Sequence, residues 1–275
     1  MTDTITDPLI ITRSNVRAKP SGFLKDLGHI AGRALRSIPR EPESFVPALF
    51  IPAFFFIVNV GALQDLTEQF PGTEGFSYRE FQLPTAIIFA VTGISRAPGL
   101  VTDIQSGYFD RLLLSPVRRL PLLLGLMVAD FALVVALCVP VIALGLLLGV
   151  GFGTGPLGLL LFVLIGAFWG LAFTGFPYAI ALKTANPAAV ASSFILFFPF
   201  AFLTSSTVPL DALTGWLREI ARYNPITYVL EGMRSLSGDT WEWTEIGKAF
   251  LAILIVGGVS QTLSLLSLRG RVDKG

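Results

Sequence analysis

Six runs of the chain stay apolar for long enough to cross a bilayer, near 45–63, 83–102, 120–150, 156–182, 188–208 and 246–268. Crossing roughly 30 Å of hydrocarbon at 1.5 Å per residue takes about 20 mostly apolar residues. The runs lack the short alternating pattern of a barrel strand, and a helix meets its backbone hydrogen bonds within one segment. The pattern predicts an all-α integral membrane protein with six transmembrane helices across 44–268. The third run is too long for one upright span, so it tilts or protrudes, with Pro140 as a kink.

Shorter stretches carry a helical stripe without the length to cross. Phe23, Leu27, Ile30, Ala31, Ala34, Leu35 and Ile38 recur at helical spacing, with Lys25, Arg33, Arg36 and Arg40 among them. This predicts a basic amphipathic helix over 23–43, lying on the membrane surface until Pro39 and Pro42 turn the chain inward. It serves as an anchor or helps to hold a partner. Residues 1–22 are polar, without the apolar core of a cleaved signal, and read as a disordered cytoplasmic tail.

Between the second and third runs, Asp103 to Arg119 is too polar to cross. Its Phe109, Leu112 and Leu113 fall at i, i+3 and i+4 beside Asp110 and Arg111, and Pro116 ends the pattern. A short surface helix of this shape suits docking into a groove of a soluble partner. Between the fifth and sixth runs, Pro209-Leu210-Asp211 opens a helix with Leu213, Trp216, Leu217 and Ile220 on one face and Asp211 as its cap. Asn224-Pro225 breaks it. A second helix follows with Ile226, Val229, Leu230 and Met233 on one side and Glu231 and Arg234 on the other, ending at Ser237-Gly238. Two helices this short, back to back, predict a re-entrant or surface-lying hairpin at the outer leaflet.

Composition agrees with a membrane protein: 53% of residues are apolar, 14% are charged and the mean hydropathy is +0.70, where a soluble chain carries about a quarter charged residues. The net charge of +1 says little, but its distribution sets the topology. With both termini in the cytoplasm, fourteen Lys and Arg lie inside and four outside, leaving aside Arg96 and Lys248 at or within spans. Residues 269–275 then form a short cytoplasmic tail. Arg96 and Asp130 fall inside the second and third spans, where a charge costs about 2.5–3.5 kcal/mol to insert. They stand at similar distances from the shared cytoplasmic loop, which permits a structural ion pair.

Catalytic chemistry finds little support. One cysteine, Cys138, and one histidine, His29, cannot assemble a metal site or an internal disulfide. Gly149, Gly151, Gly153 and Gly155 lack the Lys and Ser/Thr of a nucleotide-binding loop and read as a tight outer turn. An intramembrane hydrolase would need a nucleophile with a base; Ser192, Ser193, Ser260 and Asp130 are present without a Gly-x-Ser-x-Gly elbow, an intramembrane histidine or paired carboxylates. The hydroxyls read as helix-packing groups. The chain is not expected to be an enzyme in its own right.

The order of these features carries a resemblance over nearly the whole chain. A basic surface helix, two spans, an Asp-x-x-x-Gly then Leu-Leu-x-Ser-Pro loop, three spans, an Asn-Pro-x-Thr-Tyr-x-x-Glu-x-x-Arg hairpin and a last span follow one another. The chain resembles the permease subunit of type 2 ATP-binding-cassette (ABC) exporters, most of all the daunorubicin-resistance group. The loop match is the looser one: the family often has Glu-x-x-x-Gly-Thr, and Tyr108 follows Gly107 here.

The resemblance implies a permease that exports a hydrophobic or amphiphilic molecule, drug or lipid-like, across the bacterial cytoplasmic membrane. Two such permeases, identical or closely homologous, would bind two cytoplasmic ABC ATPase subunits. ATP and Mg would be bound by those subunits, with no cofactor in this chain and no nucleic acid among the partners. Coupling to the ATPase would fall to Asp103, Gly107, Phe109, Arg111, Leu112, Leu113, Ser115 and Pro116. The outer hairpin or gate would comprise Asn224, Pro225, Thr227, Tyr228, Glu231 and Arg234. The first and fifth spans would form the dimer seam, and Phe194, Phe197, Phe198, Phe200 and Phe202 would offer an aromatic substrate path or simply face lipid. A permease for lipid-linked polysaccharide, or a membrane scaffold that transports nothing, are the alternatives.

Overall fold

Apolar runs that cannot leave backbone N–H groups bare fold here into helices. The computed structural model describes residues 23–37, 42–68, 76–109, 111, 119–238 and 241–272, and no strand occurs among them. In chain order the helices are α1 (Phe23–Ser37), α2 (Pro42–Glu68), α3 (Tyr78–Thr92), α4 (Ala97–Gln105), α5 (Arg119–Leu147) and α6 (Gly155–Thr184). There follow α7 (Pro187–Phe202), a 3-10 turn (Leu210–Ala212), α8 (Gly215–Tyr223), α9 (Pro225–Ser237) and α10 (Trp243–Val272). Five stretches are long and apolar enough to cross a membrane: Val46–Asp65, Tyr78–Gln105, Leu123–Leu147, Gly155–Thr184 and Trp243–Arg271.

Two expected spans take a different form. The second begins at Tyr78 and is broken between α3 and α4, because Pro98 has no N–H and its ring would collide with the carbonyl four residues back. The helix restarts with that proline in its first turn, where a missing donor costs nothing. The fifth, expected to run to Val208, stops as a helix at Phe202 after 16 residues. Residues 203–208 are non-helical, yet Thr204, Ser205 and Ser206 at their centre are at most 3% exposed. At 1.5 Å per residue α7 is roughly 24 Å long, short of a full crossing.

Helix α6 is the hub. It packs against α3, α5, α7, α9 and α10, and most closely against α10. There the Ser260 hydroxyl donates to the Ala172 carbonyl and the Gln261 amide to the Leu171 carbonyl at 3.0 Å. Ser192 and Ser193 donate back to the carbonyls of Ala188 and Val190 in their own helix, at 2.9 and 2.6 Å. These hydroxyls are spent on helix backbones, which leaves none of them poised as a nucleophile. Helix α5 runs through Pro140 as a single helix.

The core divides into two clusters. The larger joins α3, α5, α6, α9 and α10 around Trp169, Phe162, Ile87 and Leu230. The smaller lies at the other end around Leu100, Ile104, Phe109, Tyr178 and Leu182, with Ile30 of α1 against it. Helix α1 seats on α5 at Gly125, where an added Cβ would come within 2.6 Å of the Ile30 side chain. Of the stripe expected on α1, Ala31 is buried and Ile30 half-buried, whereas Leu35 is exposed. The glycine-rich turn after α5 is pinned to α3 by Arg79, which donates to the Leu148 carbonyl at 2.7 Å, and to α9 through the Gly153 amide.

Candidate functional site

The charged and polar residues that the sequence singles out settle at three levels of the bundle. At one end, α4 closes on Ser106 and Gly107, and Gly107 has a φ of +70°, the left-handed conformation that only glycine adopts without strain. That is the physical reason for glycine in the Asp-x-x-x-Gly pattern. Asp103 accepts from the Arg33 guanidinium at 2.6 Å, and the same guanidinium lies 4.8 Å from the Tyr108 ring centre. The hydrogen bond to Asp103 holds Arg33 above its ordinary pKa despite partial burial, so the pair stays charged. The surface helix α1 is thereby tied to the start of the loop.

Phe109 is 2% exposed and inserted in the smaller core cluster, and the exposed Arg111 folds back to the carbonyls of Gly107 and Ser106. Phe109 thus anchors the loop to the bundle. Leu112, Leu113, Ser115 and Pro116 lie outside the described residues. Arg33→Ala is expected to cost no more than about 1 kcal/mol, since the arginine end of the pair is about half solvent-exposed. A cost several times larger in detergent unfolding would contradict this account of the contact.

The middle level is built on the break between α3 and α4. Asp130 of α5, 1% exposed, accepts from the main-chain N–H of Arg96 at 2.8 Å and from the Tyr178 hydroxyl at 2.5 Å. One turn away, Trp169 donates to the Thr92 hydroxyl at 2.8 Å, and Thr92 donates to the Ile88 carbonyl at 2.6 Å. The structure joins Arg96 to Asp130 through this backbone contact, and the Arg96 charge also acts on the buried carboxylate. The Arg96 guanidinium lies over α4, where a Cβ on Gly99 would meet its Nη2 at 3.5 Å. The physical reason is the proline break, which frees the Arg96 amide at a depth without water.

The third level, at the end of the bundle away from Asp103, closes the gap between α7 and α8. Arg234 donates to the carbonyls of Ser205 at 2.7 Å and Phe81 at 3.0 Å, and to Glu231 and the Ser205 hydroxyl at 2.9 Å each. Its guanidinium also stacks 3.5 Å over the Phe81 ring. Burial lowers its pKa to about 10, while Glu231 opposes that shift, so it remains a cation at neutral pH. Asn224 donates to the carbonyls of Phe200 and Leu203 at 2.7 and 2.9 Å and accepts from the Ile226 amide at 3.0 Å. Thr85 and Tyr78 take the carbonyls of Ser206 and Thr207. The non-helical stretch after α7 therefore has its backbone bonds filled by side chains from α3 and α9.

Around this centre, Pro225 starts α9, Thr227 is buried, and Tyr228 donates to the Arg222 carbonyl at the end of α8. Asp211 does not cap the first hairpin helix. That helix starts at Gly215, so Leu213 lies before it, and Asp211 is solvent-exposed with Arg218 at 3.5 Å. The phenylalanines of α7 divide. Phe197 is buried against Phe89 and Phe173, with centroids at 5.7 and 5.4 Å. Phe198 and Phe202 are exposed and also meet Phe89, at 6.2 and 5.6 Å. Phe194 is half-buried, and Phe200 is 61% exposed. Phe197 and Phe200 line an apolar cavity of about 490 Å³ between α6, α7, α10 and the start of α9.

Residues 26–237 match the family described as ABC-2 type transporter. The chain belongs to the ABC-2 type transporter family. It is 25% identical over 244 residues to a daunorubicin resistance ABC transporter permease protein, DrrB1, of Streptomyces coeruleorubidus, covering 86% of this chain and 82% of that one. It is 24% identical over 206 residues to a probable doxorubicin resistance ABC transporter permease protein, DrrC, of Mycobacterium tuberculosis, covering 74% of each. A putative transport permease, ycf38, of Cyanophora paradoxa is 25% identical over 228 residues, covering 80% of this chain and 77% of the relative.

Among the described residues of this ABC-2 permease, Asn224, Glu231 and Arg234 converge on residues 200–206, as their shared helix suggests. Asp103 and Phe109 lie at the opposite end. Sequence reading missed Arg33 as the partner of Asp103, Tyr178 and Trp169 as braces of the broken span, and Thr85 and Ser205 in the outer network. Arg33 was visible as one basic position of an amphipathic helix, but no local spacing links it to a carboxylate 70 residues on.

Proposed function

We propose that the chain is the membrane half of an ATP-driven exporter, with six passes, both termini cytoplasmic, and its power drawn from a separate ABC ATPase. Membership of the ABC-2 family over residues 26–237 carries this reading. In it, α7 with the stretch to Val208 counts as the fifth pass. Helices α8 and α9 then form an outer hairpin with Trp216, Tyr223 and Trp243 exposed at the aromatic interface level. Two copies pair along α2 and α7, each with one ATPase. The exposed Phe50, Phe54 and Phe55 of α2 support that seam. The cargo is a hydrophobic or amphiphilic molecule of the kind the daunorubicin and doxorubicin relatives are named for.

The coupling foot in this reading is the loop from Asp103 to Pro116. It is tied to α1 through Arg33 and to the bundle through Phe109, so a push on Leu112 and Leu113 would reach α4 and the broken span. Coupling requires that the ATPase contact differ between two states of the permease. Reconstituted with its ATPase, the Leu113→Asp variant is expected to reach the membrane normally while hydrolysis no longer responds to added amphiphile. Wild-type stimulation and transport by that variant would refute the docking role. A stable complex containing no ATPase would refute the exporter itself and favour a scaffold.

A further inference from the structure

The cavity between α6, α7 and α10 has a polarity that the transport reading does not use. Its floor is α6 from Trp169 to Lys183, roughly 21 Å of helix. Its walls come from Phe197 and Phe200 on one side and Val256 and Leu263 on the other. Asn224, Pro225 and Ile226, where the hairpin helix α9 begins, line the end away from Lys183. The depth therefore exceeds the roughly 15 Å of one leaflet's hydrocarbon. At about 490 Å³ the volume falls within the range of about 300–1,000 Å³ common for bound small molecules.

The few polar side chains in this wall have used their donor hydrogens. Ser193 and Ser267 donate to carbonyls of their own helices, and the Asn224 amide is committed to Phe200 and Leu203. A cargo bearing hydrogen-bond acceptors along its length would find few donors inside. The mouth is different. Lys183 is exposed and has no acidic partner among the described residues. Arg271, one turn beyond the lining residue Ser267 on the same face of α10, reaches the carbonyl of Leu182 at 3.3 Å, and its buried Nε has no hydrogen-bond partner among them. Two cations thus stand at one end of an apolar slot. The complementary ligand has one anionic head and one hydrocarbon tail.

We propose that this groove holds an acyl chain of an anionic phospholipid from the cytoplasmic leaflet, its phosphate on Lys183 and Arg271. Only the choice of leaflet rests on the topology proposed above; the chemistry of the site does not, and the test reads the chemistry alone. A lipid seated here would brace α7 against α10 beneath the hairpin, and it would exclude amphiphiles with a cationic head from the same slot.

Trp169 at the inner end reports occupancy. In the full chain carrying W216F, W241F and W243F it is the single tryptophan, and bromine on an acyl chain in the groove quenches it. In phosphatidylcholine vesicles, brominated phosphatidylglycerol is expected to quench Trp169 at a mole fraction about fivefold lower than brominated phosphatidylcholine needs. Lys183→Glu should abolish that preference while leaving the quenching by brominated phosphatidylcholine in place. Equal quenching by the two headgroups, no quenching by either, or a preference untouched by both Lys183→Glu and Arg271→Glu would overturn the proposal. Quenching that appears only when the protein is diluted to single permeases would overturn it too, assigning the groove to a second copy. Should the tryptophan replacements disturb folding, native mass spectrometry of the unaltered chain and of Lys183→Glu decides. Phosphatidylglycerol retained by the first and lost from the second is the expected result; equal retention refutes it.

Discussion

Arg234→Ala is expected to lower the stability of the detergent-solubilised permease by about 3–5 kcal/mol, the penalty for removing one partner of a buried charge pair. The arginine side chain is only 10% exposed, and it is the shared donor to the Phe81 and Ser205 carbonyls, the Ser205 hydroxyl and Glu231. Without it these acceptors are left in a site that water reaches poorly, at about 1–3 kcal/mol each where no substitute donor arrives. Arg234→Lys should recover little, because one ammonium cannot reproduce a planar fork that also stacks on Phe81. Glu231→Gln should cost far less, since that side chain is 31% exposed and its amide oxygen can still accept. Titration with sodium dodecyl sulfate, followed by tryptophan fluorescence, measures all three. A wild-type midpoint for Arg234→Ala would show that residues 203–208 find their hydrogen bonds elsewhere.

The same network explains why an arginine can sit so far inside an apolar bundle. A helix that ends within a membrane protein exposes carbonyls with no partner, and lipid offers none. Helix α7 ends at Phe202. The carbonyls of Phe200, Leu203, Ser205, Ser206 and Thr207 are then met by Asn224, Arg234, Thr85 and Tyr78. The Asn-Pro-x-Thr-Tyr-x-x-Glu-x-x-Arg pattern thus places on one helix the donors that a broken pass requires. Asn224 caps the start of α9 and Arg234 lies nearly three turns along it, and both reach the stretch after α7.

Helix positions were largely legible in the sequence, because length and hydropathy alone specify a segment that must satisfy its own backbone. The end of α9 at Ser237 and the start of α6 at Gly155 fall within a residue or so of the apolar pattern. The interruptions in two of the expected spans went unread for one reason. An apolar window is blind to backbone interruptions, so Pro98 and the Thr204-Ser205-Ser206 run were absorbed into spans that they in fact break. Pro98 was a readable signal. The helix end at Phe202 was not, since four short polar residues are tolerated in a membrane helix and only the distant Arg234 and Asn224 favour the alternative. For Arg96 and Asp130, equal depth correctly brought the two residues together. Which atom of Arg96 makes the contact follows from the proline break, not from its charge.

That distinction changes what mutation of the pair should do. Asp130→Ala removes the acceptor for the Arg96 amide and the Tyr178 hydroxyl together, and both are buried. The expected cost is about 2–6 kcal/mol, from roughly 1–3 kcal/mol for each of the two unsatisfied donors. Arg96→Ala keeps its main-chain N–H, so the bond to Asp130 survives, and the double change should show no rescue relative to Asp130→Ala alone. Tyr178→Phe, by contrast, shares a hydrogen bond with Asp130. Its cycle with Asp130→Ala should give a coupling of about 0.5–3 kcal/mol. A side-chain ion pair would reverse the pattern: Arg96→Ala would then rescue Asp130→Ala, and Tyr178→Phe would add to it independently. Because Asp130 fixes the first free amide of α4, its loss should also loosen the angle between α3 and α4. Faster hydrogen exchange is therefore expected across residues 93–97 in Asp130→Ala but not in Arg96→Ala. Unchanged exchange in both would mean that the proline alone sets the break and the carboxylate only fills it.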